Sequence, residues 1–189
     1  MNVGIIGAGH IAGKIARTLE RTEGVNAIAI GSRGQENAEA FAKEYRIPRA
    51  YGSYSALLED PDIDLVYIAT PHSHHFEPTM EAIGKGKACL VEKAFMANAR
   101  QTKAVLDQAK EKGVFVAEAI WTRYQPARNI INRLVSYGKI GSVCQISATL
   151  SHRVMHLPRI IRPELCGGTL LDIGLYPLNF VRMVKIGRA

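Results

Sequence analysis

The residues able to do chemistry fall in a few short stretches of this 189-residue chain. Gly7, Gly9 and Ala12 stand in Gly7-Ala8-Gly9-His10-Ile11-Ala12 with the spacing G-x-G-x-x-A. That spacing suits a dinucleotide pyrophosphate. Gly7 permits a tight turn out of a strand, Gly9 lets the backbone come close to the anion, and Ala12 is small enough for close helix–strand packing. A helix starting at His10 and Ile11 points its positive end at the phosphates. Roughly twenty residues past the glycines, an NAD site carries an acid for the ribose 2′-hydroxyl. Here the chain reads Gly31-Ser32-Arg33-Gly34-Gln35, with no acid before Glu36. A hydroxyl and a guanidinium are the groups wanted for a 2′-phosphate, which favours NADP over NAD. Thr70-Pro71-His72-Ser73-His74-His75 holds three histidines but no Asp, Glu or Cys at matching ligand spacing. It reads as a loop beneath a cofactor, with no metal. Glu92-Lys93, Trp121, and the pair Asp172 and Tyr176, four apart and so on one helical face, complete the set.

These stretches need elements to position them, and the hydropathy pattern supplies them. Val3, Ile5 and Ile6 form an uncharged apolar run, as a strand buried on both faces does. Further strands are read at residues 25–30, 64–69, 88–91 and 114–117. Helices are read at residues 35–46, 53–58, 76–83 and 99–112, the last capped by Asn98 and closed by Gly113. Short buried strands alternating with helices predict a doubly wound parallel α/β sheet. The polar clusters fall at strand C-terminal ends, the edge where such sheets bind ligands. Past residue 124 the pattern changes. A helix is read at 127–137, an alternating half-buried antiparallel strand at 142–150, and a last helix opens in the Gly167–Pro177 stretch. The expected organisation is a nucleotide-binding domain over residues 1–120 and an incomplete α+β region over 121–189.

Composition bounds the class. Hydrophobic content of 47% and charged content of 22% are ordinary for a soluble globular chain. No basic leader and no long apolar segment is read, and Cys89, Cys144 and Cys166 are an odd, widely spaced set. Together these features point to a reducing, cytoplasmic setting and against a membrane span or a structural zinc site. The net charge is +7, but no basic run reaches five residues. A solvated basic surface that also attracts an anionic cofactor is expected, not a nucleic-acid partner.

The ordered motifs Gly7 to Ala12, Thr70 to His75, Glu92-Lys93, Glu118 to Tyr124 and Gly167 to Pro177 resemble the glucose-fructose oxidoreductase / inositol dehydrogenase (Gfo/Idh/MocA) family. The likeness is strongest to its dihydrodiol dehydrogenase and D-xylose 1-dehydrogenase branch. The resemblance implies a Rossmann domain followed by a substrate and dimerisation domain, here expected to be truncated, in relatives that are usually homo-oligomeric. It implies an NADP-dependent oxidoreductase moving a hydride between the nicotinamide and a sugar or cyclic diol. Tyr176 is then the acid in reduction and the base in oxidation. The Lys93 ammonium favours the phenolate and lowers its pKa from about 10, and Asp172 orients either group. Cofactor contacts are implied for Gly7, Gly9, His10, Ile11, Ala12, Ser32, Arg33, Thr70, Pro71, His72, His75, Glu92 and Lys93, with Trp121 lining the pocket. The family's Glu-Lys-Pro reads Glu92-Lys93-Ala94 here. Because a cis bond without proline costs roughly 3 kcal/mol, a trans bond is expected. Two other readings stand beside this one: a cofactor-binding but inactive fragment or sensor of the same family, and an S-adenosylmethionine methyltransferase. Glu92-Lys93 and the missing acid after the second strand speak against the methyltransferase.

Overall fold

Six strands pair side by side and in parallel in a computed structural model that describes residues 1–154 and 156–184. They are β1 (Asn2–Ile6), β2 (Asn26–Gly31), β3 (Arg49–Tyr51), β4 (Leu65–Ile68), β5 (Ala88–Val91) and β6 (Val116–Glu118), in the order β3-β2-β1-β4-β5-β6. Between them run α1 (His10–Leu19), α2 (Gln35–Tyr45), α3 (Tyr54–Leu58), α4 (Phe76–Gly84) and α5 (Ala99–Lys112). This is the doubly wound Rossmann arrangement, and its order reverses between β1 and β4. β3 is an addition to the sequence reading, since three residues are too few to show a period of two.

Both faces of the sheet are buried, which is why its strands read as apolar runs. Neighbouring strand residues point to opposite faces. Ile6, Ala29, Val66, Ile68, Cys89 and Val91 join one apolar cluster. Ile5, Ile30, Tyr67 and Ala69 join the other. Cys89 is fully buried, and burial pushes its thiol up to about 12. The helices start and stop where local chemistry requires. Ser53 accepts from the Ala56 N–H at 3.1 Å, and Asn98 accepts from the Gln101 N–H at 3.0 Å. Gly113, at φ 65°, ends α5 in the left-handed conformation that favours glycine. Below the sheet, Arg49 holds Asp60 at 2.8 Å and Asp62 at 2.6 Å, and Tyr51 donates to Asp60 at 2.9 Å. Burial of Asp60 raises its carboxyl, but the Arg49 guanidinium, the Asp62 N–H and Tyr51 outweigh it. The net direction is below the usual carboxylate range.

The chain divides into two compact units, Met1–Ala119 and Ile120–Ala189. The second contains α6 (Pro126–Ser136), α7 (Pro158–Ile161) and α8 (Leu175–Val184), with a π-helical turn over Leu170–Gly174 ahead of α8. Pro177 has no N–H to give to the carbonyl four residues back, and the wider turn lies where that bond would form. The antiparallel strand expected at residues 142–150 is absent: among the described residues no strand follows β6. Alternating hydrophobicity marks a surface suited to a sheet, but a strand forms only against a partner edge. No described segment of the second unit offers one. No helix among the described residues is long and apolar enough to cross a membrane.

Candidate functional site

The turn after β1 shows why its residue types are restricted. Gly7 adopts φ +97°, and a Cβ there would lie 3.1 Å from the carbonyl carbon and oxygen of Ala69. Only glycine takes this conformation in this space without strain. A Cβ at Gly9 would meet nothing within 4 Å, so the backbone there borders open space. Gly9 also caps α1 without a side-chain bond, leaving the first helical N–H groups for a ligand. Ala12 is fully buried against the sheet. A second close approach is made by Gly13, where a Cβ would run into the Tyr45 hydroxyl of α2. Tyr45 in turn stacks on Phe41 at 4.4 Å between ring centres. The fingerprint spacing does not include Gly13, and its role depends on a tyrosine thirty-two residues away.

A cleft of about 520 Å³ opens at the C-terminal ends of β1, β2 and β4. The structure brings Gly7, Gly9, Ser32, Arg33, Thr70 and Pro71 together along it. Asn37, Phe41 and Glu44 of α2 and Tyr54 of α3 also line it, and sequence reasoning missed them. Only Phe41 carried a signal, as part of an apolar helical face. Ser32 is buried and Arg33 exposed. Burial raises the Tyr54 phenol above its usual value, and the Arg33 charge offsets only part of that. Gly7 makes the tight turn against the Ala69 backbone, the backbone at Gly9 and the α1 N-terminus border open space, and the Arg33 cation lines the same cleft. These residues fit the pyrophosphate and the adenosine end of a dinucleotide.

His10, Ile11, His72 and His75 do not line this cleft. His10 and Ile11 begin α1. The His75 ring is wholly buried, with Nδ1 2.9 Å from the Ala94 carbonyl and 3.2 Å from that of Phe95, and Nε2 2.9 Å from that of Thr70. It ties the loop after β4 to the loop after β5. Burial lowers its pKa, outweighing the three carbonyls that act to raise it. The buried His72 meets His75 edge-on with ring centres 5.8 Å apart. Among the described residues no three His, Cys, Asp or Glu side chains group as metal ligands do.

Glu92 and Lys93 follow the end of β5. The Tyr67 hydroxyl, buried in the middle strand β4, donates to Glu92 Oε1, while Glu92 Oε2 accepts from the Lys93 N–H at 3.1 Å. Burial and then the Glu92 charge push the Tyr67 phenol far up, so this pair is a fixed donor and acceptor. The expected trans bond is corrected here: the Lys93–Ala94 peptide is cis. The loop is held on its flanks by His75 on the Ala94 and Phe95 carbonyls and by Glu118 Oε1, which accepts from the Phe95 N–H at 3.0 Å. Tertiary contacts, not a proline ring, define it.

In the second unit, Trp121 Nε1 donates to the Tyr176 hydroxyl at 3.1 Å, with ring centres 6.1 Å apart. Asp172, 3% exposed, accepts from Arg159 Nη1 at 2.6 Å. Neither partnership was legible from spacing, because 55 and 13 residues separate the partners.

Residues 1–120 match the Gfo/Idh/MocA family, described as an oxidoreductase family with an NAD-binding Rossmann fold. Trans-1,2-dihydrobenzene-1,2-diol dehydrogenase of Danio rerio is 39% identical over 187 residues, covering 97% of this chain and 56% of its own length. The Homo sapiens enzyme of that name is 35% identical over 188 residues, covering 100% and 55%. The chain thus spans little more than half the length of these relatives. The crystal structure of KijD10, a 3-ketoreductase from Actinomadura kijaniata in complex with NADP and TDP-benzene, superimposes with a TM-score of 0.86 at 29% identity. It covers 97% of this chain and 57% of that one. The chain belongs to the Gfo/Idh/MocA oxidoreductase family.

Proposed function

We propose, with that membership as premise, that the protein is an NADP-dependent oxidoreductase acting on a carbinol or carbonyl of a sugar or cyclic diol. The observation that carries this reading is the cleft that joins the Gly7 turn, the open N-terminus of α1 and Arg33. Arg33 supports NADP over NAD, because it supplies charge where an NAD site places a carboxylate. The KijD10 structure, with NADP bound, supports the same choice. The first unit is then the nucleotide-binding part and the second belongs to the substrate part.

When bound, the nicotinamide supplies or accepts the hydride. This chain's own residues would hold the dinucleotide along the cleft and move one proton at the substrate oxygen. The Tyr176 hydroxyl is assigned that proton, given in reduction and taken in oxidation. Trp121 supports the assignment, since its indole N–H, donated to the phenol oxygen, holds that oxygen in place. Lys93 is the first unit's own candidate for the reaction, and the Tyr67–Glu92 pair fixes the strand end that carries it. Asp172 acts through Arg159 at the root of the Tyr176 helix.

Titrating the purified protein with NADPH and NADH, followed by cofactor fluorescence, tests the reading. NADPH is expected to bind at least tenfold more tightly, with turnover then found among sugars and cyclic diols. Binding of neither cofactor would overturn it.

A further inference from the structure

The charge of the chain is divided unevenly between its two units. Residues 120–189 carry ten Lys and Arg against only Glu164 and Asp172, whereas residues 1–119 carry fourteen against fifteen acids. The second unit therefore has a net charge of +8 and the first −1, which together make the +7 of the chain. The cofactor reading uses Arg33 of the first unit and leaves this excess unexplained. Three arginines of this excess, Arg153, Arg159 and Arg162, crowd with His152 and His156 into the stretch ahead of the Tyr176 helix, and all five residues are exposed. Arginine charges gathered in one short stretch repel one another and favour an anion beside them.

Two of the five are held, Arg159 by its side chain and Arg162 by its backbone alone. Arg159 donates one N–H to Asp172 at 2.6 Å while its side chain stays 46% exposed. A guanidinium has five donors, and this contact uses one. The Arg162 carbonyl accepts from the Leu165 and Gly167 N–H groups, each at 3.1 Å. A Cβ on Gly167 would lie 2.5 Å from the Ile160 oxygen and 2.8 Å from that of Arg162, so only glycine lets the chain double back here. Arg159 through its side chain and Arg162 through its backbone are thus anchored to the segment that opens the Tyr176 helix. Among the described residues Arg162 has no ion pair.

Resting on the oxidoreductase reading, we infer that the substrate is an anionic sugar, one bearing a phosphate or a carboxylate, whose charged group is taken by Arg159 and Arg162. The planar fork of arginine matches either group with two parallel hydrogen bonds. This narrows the sugar-or-diol class by charge and makes neutral diols the poorer ligands.

Trp121 is the sole tryptophan and is bonded to Tyr176, so its fluorescence reports on this unit without requiring turnover. The test titrates the full protein, held with saturating NADP⁺, with glucose, glucose 6-phosphate and glucuronate at low and high salt. At least one of the two anions is expected to bind tenfold or more tightly than glucose at low salt, with the advantage shrinking as salt is added. It should fall to less than threefold in Arg162→Gln, with NADP⁺ affinity serving as the check on folding. Equal affinity for glucose and both anions, binding of none of the three, or a preference intact in Arg162→Gln would overturn the inference. Preferential anion binding without hydride exchange would leave the arginine site for anionic sugars standing while sinking the oxidoreductase reading. Turnover confined to neutral sugars and diols would do the reverse.

Discussion

The two units do their proposed work by different means. The first builds its site from backbone: a left-handed glycine, an open helix end and three strand ends, all set by a sheet with both faces buried. The second builds from side-chain partnerships, Trp121 with Tyr176 and Arg159 with Asp172. Its apolar surface is correspondingly less covered. Of fourteen large apolar or aromatic side chains exposed among the described residues, eleven belong to it. A site made of backbone tolerates substitution on its surface but not at its turns. A site made of pairs fails when either partner is removed.

The largest separation between the units should come from Tyr176→Phe. Loss of a general acid–base is expected to lower kcat by about 10²–10⁴-fold while leaving NADPH affinity within twofold, measured by steady-state kinetics and cofactor titration. Near-wild-type turnover would end the assignment. Next is Gly7→Ala, which forces a left-handed residue against the Ala69 carbonyl. NADPH affinity should fall tenfold or more, and urea unfolding should show a loss of about 1–3 kcal/mol. Arg33→Ala should be milder, weakening NADPH by roughly tenfold, in line with one lost charge-assisted hydrogen bond, and leaving NADH unchanged. An unchanged NADPH-to-NADH ratio would remove Arg33 from the phosphate end.

The smallest effect concerns Asp60. Its folded carboxyl lies below the usual range, so the stability it contributes is full above the unfolded value near 3.9. That stability is lost as pH falls through the lower folded value. Denaturant midpoints followed from pH 7 to pH 3 should therefore drop below about pH 4, and Asp60→Asn should flatten that drop. An equal acid slope in both proteins would show that other carboxylates govern it.

Much of the first unit was legible because its signals are local. Strand runs, the glycine turn, the Ser53 and Asn98 caps and the Gly113 stop are each written within four residues of the feature they produce. What was illegible depends on distant partners: the room Gly13 makes for Tyr45, the grip of Tyr67 on Glu92, and the bonds of His75 to two loops. The cis Lys93–Ala94 bond belongs with these, since residue type pointed to the trans form and its flanks are held from β4 and β6. Residues 142–150 show the converse, a local pattern without the neighbour that would turn it into a strand. In the second unit the four-residue spacing of Asp172 and Tyr176 pointed to one α-helical face, but Asp172 lies in the π-helical turn ahead of α8, and that Arg159 and Trp121 are their partners was not legible.

Cys89 gives the sheet a clock of its own. Its thiol is fully buried in β5 and pushed up to about 12, while Cys144 lies exposed. A thiol reagent at neutral pH must therefore react promptly with Cys144 and wait at Cys89 until β5 separates from its neighbours. The delay before the last thiol is consumed measures how often the parallel sheet opens. Lengthening of that delay by NADPH would convert cofactor affinity into a rate of strand separation, read without any catalytic turnover.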